Sequence, residues 1–399
     1  MQEKHRIVEM RLANLETSFG RVVGRNAKSE NYGFNQREWL LQVTTDSGLT
    51  GITNARPAMN RGSVEQLAAT LRDLLGRDVF EFYRLEGGRV TGVNPRWEAL
   101  LKAHGFLSFA LFDLMGRALG VPAYRLLGDR VRDTVDAYDS TLYFQDLVHP
   151  EEGARAVARE AKEAVDRGWR AVKLKLGRCG RWFEPNAGMA RDIEVVQQTR
   201  EAVGPDVRIM VDANNGYDGK LDLLETLVRE TGDADLFWME EMVTENVRDY
   251  RLLKDWRDKY SPRTMLVDGE GDDGRNTVYW QLMELGLLDA IQPDMLHMGF
   301  WPFHALARDI ADSGYATRIA PHNFNAAAIG LRGVIQFAAV TPGFVIAEDS
   351  TLRFDVYRDD GYQFENGAYA VPDSPGLGVD IDQELYARKY APIETLIVG

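Results

Sequence analysis

The sequence predicts an α/β fold: a (β/α)8-type (modified TIM) barrel with a discontinuous α+β capping domain. Three observations predict it. First, Lys173 with Lys175, then Asp212, Glu240, Glu270, Asp294 and His322, each lie at the end of a short apolar run. From Lys175 the steps are 37, 28, 30, 24 and 28 residues, about the length of one strand-plus-helix unit. Second, strand-like and helix-like patterns alternate from Thr134 over about 215 residues, the size of such a barrel. Third, that rhythm is missing at both ends of the chain. Residues 1–132 therefore read as an N-terminal α+β capping domain, 133–352 as the barrel, and 353–399 as a segment returning to the cap.

In chain order, Ile7–Leu15 and Glu38–Thr45 have strand character, and Asp46-Ser47-Gly48 turns the second into Thr50–Thr53. Ser18–Gln36 between them is rich in Gly, Arg, Asn and Tyr and reads as a long functional loop. Ser63–Leu75 carries Val64, Leu67, Leu71 and Leu74 at helical spacing, and Ala99–Leu119 reads as one core helix. The predicted barrel strands are Thr134–Ser140, Ala171–Leu176, Arg208–Asp212, Leu236–Glu240, Thr264–Asp268, Ala290–Pro293, Ala316–Ala320 and Phe344–Ala347. Amphipathic helices such as Glu152–Arg167, Met189–Ala202, Lys220–Glu230 and Trp301–Ser313 separate them. A doubly wound open sheet fits less well, because no glycine-rich phosphate turn follows Ser140.

The 399 residues are 45% hydrophobic and 27% charged, enough for a large core. A net charge of −14 with no basic tract argues against nucleic acid as a partner. A single cysteine, Cys179, makes neither an intrachain disulfide nor a thiolate cluster. The N-terminus has no apolar leader pattern, and no run approaches ~18 apolar residues, so a cytoplasmic protein without a membrane partner is expected.

Asp212, Glu240 and Glu270 end three consecutive predicted strands and so stand side by side on one rim. Convergent carboxylates repel unless a cation neutralises them. An all-oxygen set suits Mg²⁺ better than Zn²⁺. Glu241 should face away from Glu240 by strand alternation, which makes it the fallback ligand. Lys173 and Lys175 share a face, and their mutual repulsion should lower one amine toward neutral pH. Asp294 and His322 end neighbouring strands, where the carboxylate can fix the ring's tautomer. His297 is a candidate substrate contact. Arg21, Arg25, Tyr32, Arg178 and Arg181 lie in polar loops and offer donors for a polyol or a second carboxylate.

These residues resemble the enolase superfamily, and within it the mandelate racemase subgroup. The motifs are Lys173-Leu-Lys175, Val211-Asp-Ala-Asn214, Trp238-Met-Glu-Glu241, Asp268-Gly-Glu270, Gln292-Pro-Asp294, Pro321-His322, Ala347-Glu348 and Pro375-Gly-Leu-Gly-Val. The resemblance implies Mg²⁺ on Asp212, Glu240 and Glu270, holding a substrate carboxylate. It implies Lys175 as base on one face of the α-carbon, with Lys173 near the carboxylate and Asp294–His322 acting from the other face. Glu348 would stabilise the enediolate, as a hydrogen-bond donor if protonated, and Asn214 would be a polar contact near the metal. It also implies a homo-oligomer. Two departures, Met242 where proline is usual and Met298-Gly299-Phe300 where paired glycines are usual, alter the pocket wall.

The expected activity is α-proton abstraction followed by loss of water from an acid sugar, giving a 2-keto-3-deoxy acid, a step suited to carbohydrate catabolism. A racemase or epimerase of a 2-hydroxy acid is the alternative. A muconate-cycloisomerase-like reading fits less well, since that subgroup places a lysine where Asp294 stands. A non-catalytic acid-sugar binding protein would need no base.

Overall fold

The computed structural model describes residues 3–30, 33–55, 61–271, 273–323 and 327–399. Four antiparallel strands form the capping sheet, in the order Glu394–Val398, Ile7–Val23, Gly33–Thr45, Thr50–Ala55. The last strand of the chain thus pairs with the first, Met10 opposite Val398. Helix Leu107–Leu119 packs on this sheet, and its buried Asp113 accepts from the backbone N–H groups of Ile52 (3.1 Å) and Leu377 (2.8 Å) and from Arg117 Nε (2.9 Å). One satisfied buried carboxylate thereby joins sheet, helix and C-terminal segment.

Two expectations in the cap are corrected. Ser18–Gln36 is largely a hairpin rather than a loop: the first strand runs to Val23, the second starts at Gly33, and Ser18 pairs with Asn35. Both faces of this extension are partly solvated, so it lacks the apolar alternation that marks a strand in sequence. Ala99–Leu119 is two helices, Glu98–Ala103 and Leu107–Leu119. The break falls at Gly105, where any Cβ would collide with the carbonyl oxygen of His297 across the domain boundary.

In the barrel, parallel pairing runs from Thr134–Leu142 through Ala171–Lys175, Arg208–Asp212, Trp238–Glu240, Met265–Asp268 and Ala290–Ile291 to Arg318–Ile319. Ile319 bridges Phe344, and Ala347–Asp349 pairs with the first barrel strand, Glu348 opposite Tyr138, which closes the ring. The sixth strand is shorter than expected because Pro293 brings no N–H. The eighth lies later than expected, at Ala347–Asp349, and so includes Glu348. Before reaching the cap, the C-terminal segment adds Ala368–Ala370 antiparallel to the start of the first barrel strand.

Tyr138, Ala171, Met210, Trp238, Met265, Val267, Ala290, Ala320 and Ile346 form a buried cluster among the barrel strands. Strand side chains repeat their direction every second residue. Two positions beyond Ala171, Met210, Trp238, Ala320 and Ile346 come Lys173, Asp212, Glu240, His322 and Glu348. The apolar filling and the charged ring are therefore successive layers of the same strands. Among the described residues, no helix is long and apolar enough to cross a membrane.

Candidate active site

Ligand atoms of Asp212, Glu240 and Glu270 lie within 4.8 Å of one another, Asp212 and Glu240 being buried. Three carboxylate oxygens converging this closely fit a hard divalent cation. Trp238 Nε1 donates to Glu240 Oε2 (3.0 Å), and the backbone N–H of Asn214 donates to Asp212 Oδ1 (2.8 Å), so each acid is aimed from outside. Desolvation pushes the Glu240 carboxyl up, more than the neighbouring lysines offset. For Asp212 burial works in the same sense, but Lys175 and Lys173 outweigh it and hold the carboxyl low.

The lysines meet these acids from the second strand. Lys173 Nζ lies 2.8 Å from Glu240 Oε1, 3.3 Å from Glu348 Oε1 and 3.6 Å from Asp212 Oδ2, above the Tyr138 ring. Lys175 Nζ donates to Asp212 Oδ2 and stands over the Tyr143 ring. Burial alone would lower both amines, but the surrounding carboxylates prevail and raise them. This reverses the lowering expected for one lysine from their mutual repulsion: each is paired to acid more closely than to the other.

Across the mouth, Asp294 and His322 form a parallel bridge, and His322 Nδ1 is 2.9 Å from Asp294 Oδ1. Its Nε2 lies 3.3 Å from Glu270 Oε2 and 3.8 Å from Glu348 Oε2. Desolvation opposes the imidazolium, yet Glu348, Glu270 and Asp294 raise its pKa to about 10. Glu348 accepts the backbone N–H of Asn323 (2.7 Å); burial would raise it, but Lys173 and His322 hold it lowered. In this arrangement Glu348 is a carboxylate that accepts, not the protonated donor considered from sequence.

Glu241 does not look away as alternation predicted. The strand ends at Glu240, and Glu241 has φ +43°, which swings its buried carboxylate back to the rim. There it accepts Asn214 Nδ2 (2.8 Å) and Lys28 Nζ (3.1 Å to each oxygen). Burial, Glu270 and Asp212 push it up to about 7. Lys28, from the tip of the capping hairpin, was missed from sequence: its position depends on how the cap docks, which local pattern does not encode.

The expected substrate contacts fare differently. Arg178 is fully buried, with Nε and Nη2 on Asp146 (3.0 and 2.7 Å), and Nη1 on Asp192 (2.8 Å) and on the Lys175 carbonyl (3.1 Å). It is a framework cation, saturated because an unpaired buried guanidinium would be too costly. Arg21 binds Thr141 (2.7 and 2.9 Å) and pairs with Glu160 (3.1 Å). Arg25 stacks over Trp182, and Arg181 pairs with Glu30. His297 is exposed, in a surface cleft with Arg84, Lys102 and Trp301 rather than in the ring. Asn214 lies beside the triad as described. Tyr32 lies outside the described residues.

The enolase C-terminal domain-like family model matches residues 156–385, more than half the chain. The chain belongs to that family. It is 29% identical to D-galactarolactone cycloisomerase of Agrobacterium fabrum, over 90% of this chain and 92% of the relative. To D-xylonate dehydratase of Haloferax volcanii it is 26% identical, over 90% and 87%. The crystal structure of a Geobacillus galacturonate dehydratase complexed with D-galacturonate and 5-keto-4-deoxy-D-galacturonate superposes with a TM-score of 0.84, at 26% identity over all of both chains. A variant of that enzyme, solved with Mg, gives 0.83 at 26% identity over 100% and 99%. This enolase-superfamily chain thus stands among the mandelate racemase relatives, where acid-sugar dehydratases recur.

Proposed function

We propose that this protein is a Mg²⁺-dependent acid-sugar dehydratase that converts an aldonate or aldarate to a 2-keto-3-deoxy acid. The observation that carries the reading is the meeting of two opposed proton-transfer groups on one carboxylate triad: Lys175 reaches Asp212 from one side, and His322 Nε2 stands 3.3 Å from Glu270 on the other. Asp212, Glu240 and Glu270 would hold Mg²⁺, which when bound polarises the substrate carboxylate and compensates the three acids. Lys175, relieved of compensating Asp212, takes the proton from C2. Lys173 offsets charge developing on the carboxylate as the enediolate forms. His322, held by Asp294, gives its proton to the departing C3 hydroxyl, which leaves as water. The resulting enol becomes the 2-keto-3-deoxy acid by taking a proton at C3 and releasing the proton of its C2 hydroxyl. Glu348 steadies the imidazolium and Lys173 between its two oxygens.

The same pair on two faces also suits racemisation or epimerisation, in which the proton returns to C2. Incubation with Mg²⁺ and a library of aldonates and aldarates decides between them. Keto-acid formation is expected from at least one member; C2 exchange without keto acid selects the isomerase, and no conversion across the library refutes the dehydratase.

A further inference from the structure

We propose that Lys28, reaching in from the capping domain, tempers the affinity of the cation site by neutralising Glu241, a fourth carboxylate beside the triad. The inference rests on the reading of Asp212, Glu240 and Glu270 as a Mg²⁺ site. Lys28 Nζ lies 3.1 Å from each Glu241 oxygen, a symmetric contact between a hairpin tip and a barrel loop. The left-handed backbone at Glu241 keeps its side chain at the rim, where 3% of the residue is exposed. Asn214 links the pair to the triad: its Nδ2 donates to Glu241 Oε2 (2.8 Å), and its backbone N–H to Asp212 Oδ1 (2.8 Å). A chain of direct contacts therefore runs from the cap through Glu241 and Asn214 to a cation ligand.

The Lys28 charge has a use beyond docking, because other groups already fix the tip. Trp182 Nε1 donates to the Asn26 carbonyl (2.8 Å), Arg181 Nη1 to the Lys28 carbonyl (3.2 Å), and the Phe144 N–H to the Arg25 carbonyl (3.0 Å). Asn26 Oδ1 also closes the turn by accepting the N–H groups of Lys28 and Ser29 (2.9 and 2.6 Å). Backbone contacts thus place Lys28, and its amine is left to balance the carboxylate it meets. A unit charge at this range, on a side chain 47% exposed but facing a buried carboxylate, shifts divalent-cation affinity by a few-fold. Opposite changes at the two partners should then shift it in opposite directions.

The test is titration calorimetry with MgCl₂ on the wild type, Lys28→Met, Lys28→Arg, Glu241→Gln and the Lys28→Met/Glu241→Gln double variant, with folding checked by circular dichroism. The expected pattern is binding about fivefold tighter for Lys28→Met and about fivefold weaker for Glu241→Gln, with Lys28→Arg and the double variant near wild type. Equal affinities throughout, or weakening in both single variants, overturn the inference while leaving the triad intact as a Mg²⁺ site. A folded wild type that takes up no Mg²⁺ overturns both.

Discussion

The barrel rim and the capping hairpin meet at one site but are built by different rules. On the rim, Lys173, Asp212, Glu240, His322 and Glu348 each sit two residues above an apolar neighbour in the barrel filling, and strands pair in register, so that Asp212 lies beside both Lys175 and Glu240. Strand periodicity and parallel pairing therefore dictate where these groups converge. In the hairpin both faces are partly solvated, and Lys28 reaches the rim only because Trp182, Arg181 and Phe144 hold the tip. The lesson is that chemistry carried on regular strands can be located from spacing, whereas chemistry delivered across a domain boundary cannot.

The rim should be the part that breaks most severely. Glu240→Gln, which removes a converging ligand and the partner of Lys173, should lower kcat/KM by about 10³-fold or more and weaken Mg²⁺ binding in the same titration. Lys175→Met should cost about 10³-fold in kcat, with Mg²⁺ binding retained. Asp294→Asn leaves His322 in place but loses the charge that orients and supports it, and about 10²-fold in kcat is expected. Arg178→Met sharpens the comparison from the other side: it should cost about 3–5 kcal/mol in denaturant unfolding, because Asp146 and Asp192 would be left buried without their cation.

A pH experiment on His322 should give the smallest effect. Its pKa is raised to about 10 from an ordinary 6.5, so its ion pairs contribute stability that is full below pH about 6.5 and lost as pH rises through about 10. Without added divalent cation, the melting temperature of the wild type should fall more steeply than that of His322→Gln between pH 7 and 10. Parallel curves would show that the carboxylates around the ring do not hold it charged.

Much of the site was therefore legible, and the misreadings share a cause. The carboxylate triad, the lysine pair and the Asp294–His322 pair follow from strand ends alone. Glu241 was misread because alternation was carried one residue past the end of the strand, where φ +43° cancels it. Arg178 was misread because a polar loop residue looks solvated until Asp146, 32 residues earlier in the chain, is brought against it. The repulsion between the two lysines, read from sequence, is outweighed in space because each amine meets a carboxylate first. In the cap, the long hairpin lacked an apolar face to announce it, and the helix break at Gly105 answers a carbonyl from the barrel.

In the proposed reaction the ring removes the proton at C2 on one face and protonates the leaving C3 hydroxyl from the other. Turnover of an active acid sugar with Mg²⁺ in D₂O, followed by NMR of both product and recovered substrate, tests it most directly. The expected product is a 2-keto-3-deoxy acid carrying one solvent deuterium at C3, formed by the wild type and about 10³-fold more slowly by Lys175→Met. Deuterium at C2 of recovered substrate with no keto acid, or keto-acid formation undiminished in Lys175→Met, would contradict it.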